Sequence, residues 1–257
     1  MDEGTTNTPR TSGLVDWIDP SLLPRGVKVG FTSNVGGAST GDHASFNLGF
    51  HVGDDPGAVS ANRGLLQREI GVELTWMSQV HGKTIARASE ASRGELGYLS
   101  VGEADAVVVE TGQAAAVMVA DCVPLIVVTD DGKRGAAVHV GRAGFDLGIA
   151  HAVLDALGTV DVVAFLGPSI AGRCYEVGEE LATQFDSRWP GTAVTTRWGT
   201  PGLDIAGGLE RQLQACGVTN IHRSPVCTYA SPAHYSHRRA THEGRKTGRF
   251  VGLVHIG

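Results

Sequence analysis

Four short apolar runs, at residues 104–109, 114–119, 124–129 and 135–139, follow one another with only turn-sized gaps between them. They constrain the fold more than any other feature of the chain. Each run is apolar at consecutive positions, the pattern of a strand buried on both faces. The gaps carry turn chemistry, Glu110-Thr111-Gly112 and Asp130-Asp131-Gly132. The second is short enough for a hairpin, which pairs its strands antiparallel.

Helical patterns flank this centre. Asp54-Asp55-Pro56 opens a helix that runs to about Ile70, its acids near the positive end of the helix dipole. Apolar residues recur at helical spacing over 144–157, and 176–185 and 203–216 read as further helices. Strands are expected at 27–31, 161–166 and 250–256. The class is therefore α/β with mixed rather than purely parallel sheets. Residues 33–49 (SNVGGASTGDHASFNLG) form a long, glycine-rich polar loop, of a kind that tends to carry function. Residues 1–12 are polar, without an apolar period, and read as a disordered tail. Residues 13–257 read as one domain, a size at which α/β chains often stay undivided.

The formal net charge is -6. Binding to phosphate backbones needs a basic face, so a general nucleic-acid binder is not expected. No apolar stretch approaches the ~20 residues of a membrane helix, and the N-terminus lacks the regions of a signal peptide. The expected location is the cytoplasm, with no membrane partner and a monomeric or homodimeric state. The cysteines, 122, 174, 216 and 227, form no CxxC pair. They read as free thiols, with 174, 216 and 227 as packing residues.

Three segments place reactive side chains beside strand ends: SQVHG with His81, ADCVPLIV with Cys122 and AAVHVGRAG with His139. A strand end followed by glycine or proline puts a side chain at the rim of a sheet, where ligands bind. Two imidazoles and a thiolate suit Zn²⁺, or Cu²⁺, with one coordination position left open. Spacing alone leaves the bland reading standing: a lone cysteine is ordinarily a core residue, and a histidine on an apolar strand an ordinary hydrogen-bonded one. The same three side chains also suit a cysteine hydrolase, with Cys122 as nucleophile, His139 as base and His81 or Asp121 as orienter. A metal-binding or interaction module without turnover is a third reading.

Several motifs together resemble one family. SFNLGFHVGDDPGAVSANR, SQVHGKTI, ADAVV, AAAVMVADCVPLIV, GAAVHVGRAG, LGPSIAGRCYEVG and the final SHRR…GR are similar to the YfiH-like proteins. These were first described as laccase-domain or polyphenol oxidase proteins and then as multifunctional purine nucleoside phosphorylases. The likeness runs from about Val27 to Val254. It implies a zinc-binding His-Cys-His centre at His81, Cys122 and His139. It implies phosphorolysis of adenosine, inosine and methylthioadenosine, with adenosine deamination as a further activity. It implies a layered α/β/β/α fold, similar to the catalytic domain of a cysteine-dependent deamidase toxin. A bacterial branch is linked to an amidase that removes wrongly incorporated serine from peptidoglycan precursors. One departure stands out: the family commonly reads HAGWRG, and here the segment is His139-Val140-Gly141-Arg142-Ala143-Gly144. The tryptophan is gone and the arginine sits one place earlier.

A true laccase is rejected on chemistry. Its trinuclear copper centre needs paired HxH motifs, and this chain has none. The HxE…PCxxC signature of the usual zinc deaminases is absent too. Further candidates for substrate or phosphate contact are Asn47, Arg63, Gln79, Asp105, Asp121, Arg142, Arg238, Arg239 and Arg249. Arginine's planar fork suits phosphate. His234, His237 and His242 lie close in sequence and read as a surface loop rather than a metal site.

Overall fold

The computed structural model describes residues 13–257; the expected tail at 1–12 lies outside the described residues. Two large sheets lie face to face. One has four strands, all antiparallel, in the order Val15–Trp17, Val27–Thr32, Phe250–Ile256, Ala114–Val119. The other has six, in the order Asn220–Arg223, Val162–Leu166, Val123–Thr129, Arg134–Val140, Ala106–Glu110, Ile85–Arg87. Its two outer pairs are parallel and the inner pairs antiparallel, so the sheet is mixed.

The period-2 alternation of strands explains why the central runs are apolar throughout. In Ala114–Val119, the side chains of Ala115, Val117 and Val119 enter the core between the sheets, while Ala114, Ala116 and Met118 enter a second core outside. In Val123–Thr129, Ile126 and Val128 face the other sheet, while Leu125 and Val127 face helices. Each position meets a hydrophobic layer, and each buried Val, Leu, Ile or Phe contributes roughly 1.5–3 kcal/mol. Ile149–Leu157 and Ile205–Ala215 cover the six-stranded sheet through Ile149, Val153, Leu157, Leu209 and Leu213. Pro56–Ile70 covers the four-stranded sheet through Leu66 and Ile70. The order of layers is helix, sheet, sheet, helix, as the resemblance implied.

The Asp130-Asp131-Gly132 turn joins Val123–Thr129 to Arg134–Val140 as the expected antiparallel hairpin. The Glu110-Thr111-Gly112 turn does something else: it carries the chain from the six-stranded sheet to the four-stranded one. Pro56–Ile70 begins as expected, with Asp55 accepting from the Ala58 amide at 2.7 Å. The expected helix at 144–157 is corrected to two pieces, Arg142–Asp146 and Ile149–Leu157. Gly148 breaks it by taking φ +76°, a conformation that glycine adopts without steric cost. The helix expected at 176–185 begins later, at Glu179, and extends to Arg188. The short strands Trp76–Ser78, Ile85–Arg87, Leu99–Glu103 and Asn220–Arg223 were not expected; most of their positions are partly buried or exposed, so they lack a continuous apolar run.

The long polar loop is held by Asn62 of the helix Pro56–Ile70. Asn62 Oδ1 accepts from the Ala38 amide at 2.7 Å, and its Nδ2 donates to Ser39 Oγ and the carbonyls of Ser45 and Asn47. The loop delivers Phe50 and His51 to the mouth of the cavity described next.

Candidate metal centre and active site

His81, Cys122 and His139 come together. Their ligand atoms all lie within 4.8 Å of one another, and among the described residues they form the one such group of three or more His, Cys, Asp or Glu. The elements that bring them are different. His139 sits near the end of Arg134–Val140, opposite Pro124 of the neighbouring strand. Cys122 immediately precedes that neighbouring strand. His81 lies in the turn after Trp76–Ser78.

Two of the backbone positions are strained. His81 has φ +60° and Asp121 has φ +94°, values that non-glycine residues take at a cost of order 1–3 kcal/mol. Both are held by hydrogen bonds. Asp121 accepts from Thr228 Oγ1 at 2.6 Å and from the Arg238 amide at 2.7 Å, and its carbonyl accepts from the Ile170 amide. That network aims the next residue, Cys122. The His81 turn is held by Asp105, which is fully buried. Its Oδ1 accepts from the His81 amide at 2.9 Å and its Oδ2 from the Gly82 amide at 2.7 Å. Oδ1 is also 2.8 Å from His139 Nδ1. One carboxylate thus orients both histidines. With Nδ1 occupied by Asp105, His139 is left with Nε2 for the centre.

The rings of His81 and His139 stand edge to face at 4.6 Å. Gly141 forms the wall beside all three side chains. A Cβ there would sit 2.9 Å from His81 Cδ2, 3.3 Å from Cys122 Sγ and 3.6 Å from His139 Cε1. Gly141→Ala is therefore expected to push the donors apart while leaving the core intact. Metal content at equal protein concentration should drop well below that of the wild type, with little change in the unfolding midpoint.

Electrostatics fit ligation. Burial pushes the Cys122 thiol up, but the charges and hydrogen bonds of His139 and His81 outweigh it and bring the thiol down to about 6. Burial also pushes His139 down, and the Cys122 thiolate and Asp105 reverse that and raise it to about 9. Near neutral pH and with no metal bound, the pair is a thiolate beside an imidazolium. The donor set, two imidazoles and a thiolate backed by a buried carboxylate, fits a borderline transition-metal ion.

The trio opens into a cavity of about 1050 Å³. Nine of the sequence-derived candidates line it: His81, Cys122, His139, Arg63, Gln79, Asp121, Arg142, Arg238 and Arg249. Gln79 spends both ends of its amide on the Met118 backbone, so it fixes the wall. Arg142 and Arg238 flank Tyr175, the Arg238 guanidinium 5.0 Å from its ring centre.

The other three candidates are placed elsewhere. Asp105 lies behind the histidines, as described. Asn47 is fully buried and off the cavity. Its amide bonds the Gly49 carbonyl, Asp54, and the amides of Gly49 and Arg249, which leaves no group for a ligand. Arg239 is also off the cavity, its guanidinium given to the carbonyls of Thr228, Tyr229, Ser231 and His234. That rigid multidentate role stitches the C-terminal segment together. His234, His237 and His242 do not converge on a metal-binding group.

Sequence reasoning passed over His51, Trp76, Tyr98 and Tyr175, all on the cavity wall. His51 and Tyr175 lie within the family-like motifs, which was the available signal. Trp76 and Tyr98 come from the short strands and turn of the small sheet, where no motif marked them.

Residues 28–257 match the family model described as multi-copper polyphenol oxidoreductase laccase. A purine nucleoside phosphorylase of Streptomyces coelicolor is 41% identical over 238 residues, 89% of this chain and 95% of that protein. The purine nucleoside phosphorylase YfiH of Shigella flexneri is 33% identical over 245 residues, 90% and 96% of the two chains. The chain belongs to the YfiH-like, laccase-domain family. The crystal structure of the Neisseria meningitidis protein NMB0706 shows the same fold: TM-score 0.85, 31% identity, 95% of this chain and 99% of that one. For this YfiH-like chain, the family model's name associates the three-donor group with copper. One group of three donors is smaller than a multi-copper centre requires, and the group can hold a single ion. Among the described residues, no helix is long and apolar enough to cross a membrane.

Proposed function

We propose that this protein is a purine nucleoside phosphorylase that uses inorganic phosphate to cleave the N-glycosidic bond of adenosine, inosine and methylthioadenosine, with adenosine deamination as a side reaction. The observation that carries this reading is one cavity that joins the His81–Cys122–His139 group to an apolar wall and several arginines. Its volume of about 1050 Å³ stands at the upper end of small-molecule sites, roughly 300–1000 Å³. A nucleoside and a phosphate fit together in such a space. The names of the bacterial relatives support the reading.

As the purine leaves, positive charge builds on the ribose and negative charge on the base. An anion held beside the ribose C1′ carbon and a proton donor near the base lower that barrier. The cavity arginines hold the anion, and their planar forks match phosphate oxygens. Burial raises Tyr175 and the Cys122 charge adds to it, outweighing the opposite pull of Arg142 and Arg238, so this phenol stays protonated at neutral pH and can donate. Asp105 keeps His139 in one orientation throughout. Zn²⁺ held by His81, Cys122 and His139 would supply a Lewis acid at the centre.

A second reading is favoured by one observation, the thiolate–imidazolium pair of Cys122 and His139 with Asp105 behind it. That is the layout of a cysteine hydrolase, and its substrate would be an amide such as a serine-bearing peptidoglycan precursor. A thiolate that ligates zinc is not free to attack, so metal content separates the two.

The test is turnover of adenosine and inosine, with and without phosphate, on metal-loaded and on chelated protein. Phosphate-dependent release of free base that disappears on chelation is the expected result. Absence of release in both states would overturn the phosphorylase and turn attention to the serine-bearing precursor.

A further inference from the structure

Two of the cavity's arginines form no ion pair with any carboxylate among the described residues. Arg63 is 6% exposed and lines the cavity. Its guanidinium carbon lies 3.6 Å from the Trp76 ring centre, 4.7 Å from Phe50 and 4.9 Å from Tyr98. Nε donates to the Leu48 carbonyl at 2.9 Å, and Nη2 approaches only Met118 Sδ, at 3.5 Å. A thioether is a weak acceptor. None of the ion pairs among the described residues includes Arg63 or Arg249.

Arg249 shares this wall. Its Nη1 donates to the carbonyls of Thr247 and Gly248, and its other guanidinium nitrogens have no partner among the described residues. Its stem passes over Gly49, where a Cβ would sit 2.9 Å from Arg249 Cγ and 3.4 Å from His51 Cε1. Arg249 and His51 therefore meet across a glycine that leaves them room. Burial lowers the His51 imidazole, and the Arg249 and Arg63 charges lower it further, so both guanidiniums act on this ring. The Arg249 charge also reaches Cys122 and Asp121, which places this charge next to the metal centre.

A buried cation without a counter-ion carries a large desolvation cost, and a bound anion relieves it. Stacking on aromatic rings stabilises Arg63 in part, but it neutralises no charge. The two other arginines of the cavity are better provided for: Arg142 is exposed to solvent, and Arg238 donates to the Glu176 carbonyl and stacks on Tyr175.

We infer that Arg63, Arg249 and His51 form an oxyanion subsite in this cavity that takes inorganic phosphate. Naming phosphate as the co-substrate rests on the phosphorylase reading above; the site itself rests on the unpaired cations. Two guanidinium forks grip a tetrahedral anion from two sides, with the imidazole at the mouth as a third contact. The aromatic rings hold Arg63 still, so little side-chain entropy is lost on binding.

Calorimetric titration of metal-loaded protein with inorganic phosphate, without nucleoside, tests this directly. Wild type is expected to bind, and Arg249→Gln and Arg63→Met to bind about tenfold or more weakly. His51→Asn, a change at the exposed mouth, is expected to weaken binding by a smaller factor and serves if Arg63→Met does not fold. In turnover, the KM for phosphate should rise in these variants while the KM for nucleoside stays within about twofold. Wild-type protein that binds no phosphate, or variants that bind it as wild type does, would overturn the subsite. Phosphate binding that the variants lose, in a protein that releases no base, would keep the subsite and remove the phosphorylase. Phosphorolysis whose phosphate KM ignores all three changes would do the reverse.

Discussion

Cys122→Ala is expected to abolish turnover, by at least about a thousandfold, while leaving the protein folded. Both enzymatic readings need the sulfur: as a ligand beside two imidazoles, or as a nucleophile beside His139. The stability effect should be small. Cys122 is half-buried at the rim of the sheet, packed against the inter-sheet core without being part of it. Loss of one sulfur there costs on the order of 1 kcal/mol or less. A circular-dichroism melt close to that of the wild type, together with lost metal and lost activity, is the expected combination. Full activity in Cys122→Ala would show that the trio is not the active centre.

The second large effect is expected at Asp105, through positioning rather than contact with a substrate. Its carboxylate satisfies the His81 and Gly82 amides and holds His139 Nδ1. Asp105→Ala removes all three partners from a fully buried place. Each buried donor left unpaired costs about 1–3 kcal/mol, so a total of roughly 2–5 kcal/mol is expected after relaxation. For a chain of this size, about 1 kcal/mol moves Tm by roughly 2–4 °C. The melt should therefore fall by about 5–15 °C, and metal affinity by about 10–100-fold or more. Asp105→Asn keeps one acceptor of the two. An oxygen in the Oδ1 place still accepts from the His81 amide and from His139 Nδ1, while the Gly82 amide loses its partner and the negative charge behind His139 is gone. Stability should recover in part, and metal affinity should stay below that of the wild type because the charge no longer supports the imidazole. Full recovery of metal affinity would mean that the carboxylate charge plays no part in holding the donors.

Both expectations depend on placement that the sequence showed unevenly. The central strands were legible because each is apolar along its whole length, and only a doubly covered sheet satisfies that. The helix Pro56–Ile70 was legible from Asp55 at its cap and Pro56 in its first turn. The trio was legible because each member sits in a distinctive segment, SQVHG, ADCVPLIV or AAVHVGRAG, in an order that resembles a known family. The arginines were not separable in this way. Arg63, Arg239 and Arg249 look alike in sequence, yet one lies among aromatic rings on the cavity wall and one is spent on four carbonyls off the cavity. The third keeps free nitrogens on the wall.

Local sequence determines what depends on neighbours along the chain: strand burial, helix caps, turn chemistry and the identity of the three donors. Tertiary structure alone decided which partners each polar group meets. Asp105 reaches the His81 turn and His139 across gaps of 24 and 34 residues, and Thr228 reaches Asp121 across 107. Such bonds depend on distances of a few ångströms between segments that the pattern of a single segment does not encode. The left-handed backbone at His81 and Asp121 belongs to the same class: neither residue favours it locally, and the surrounding hydrogen bonds hold it.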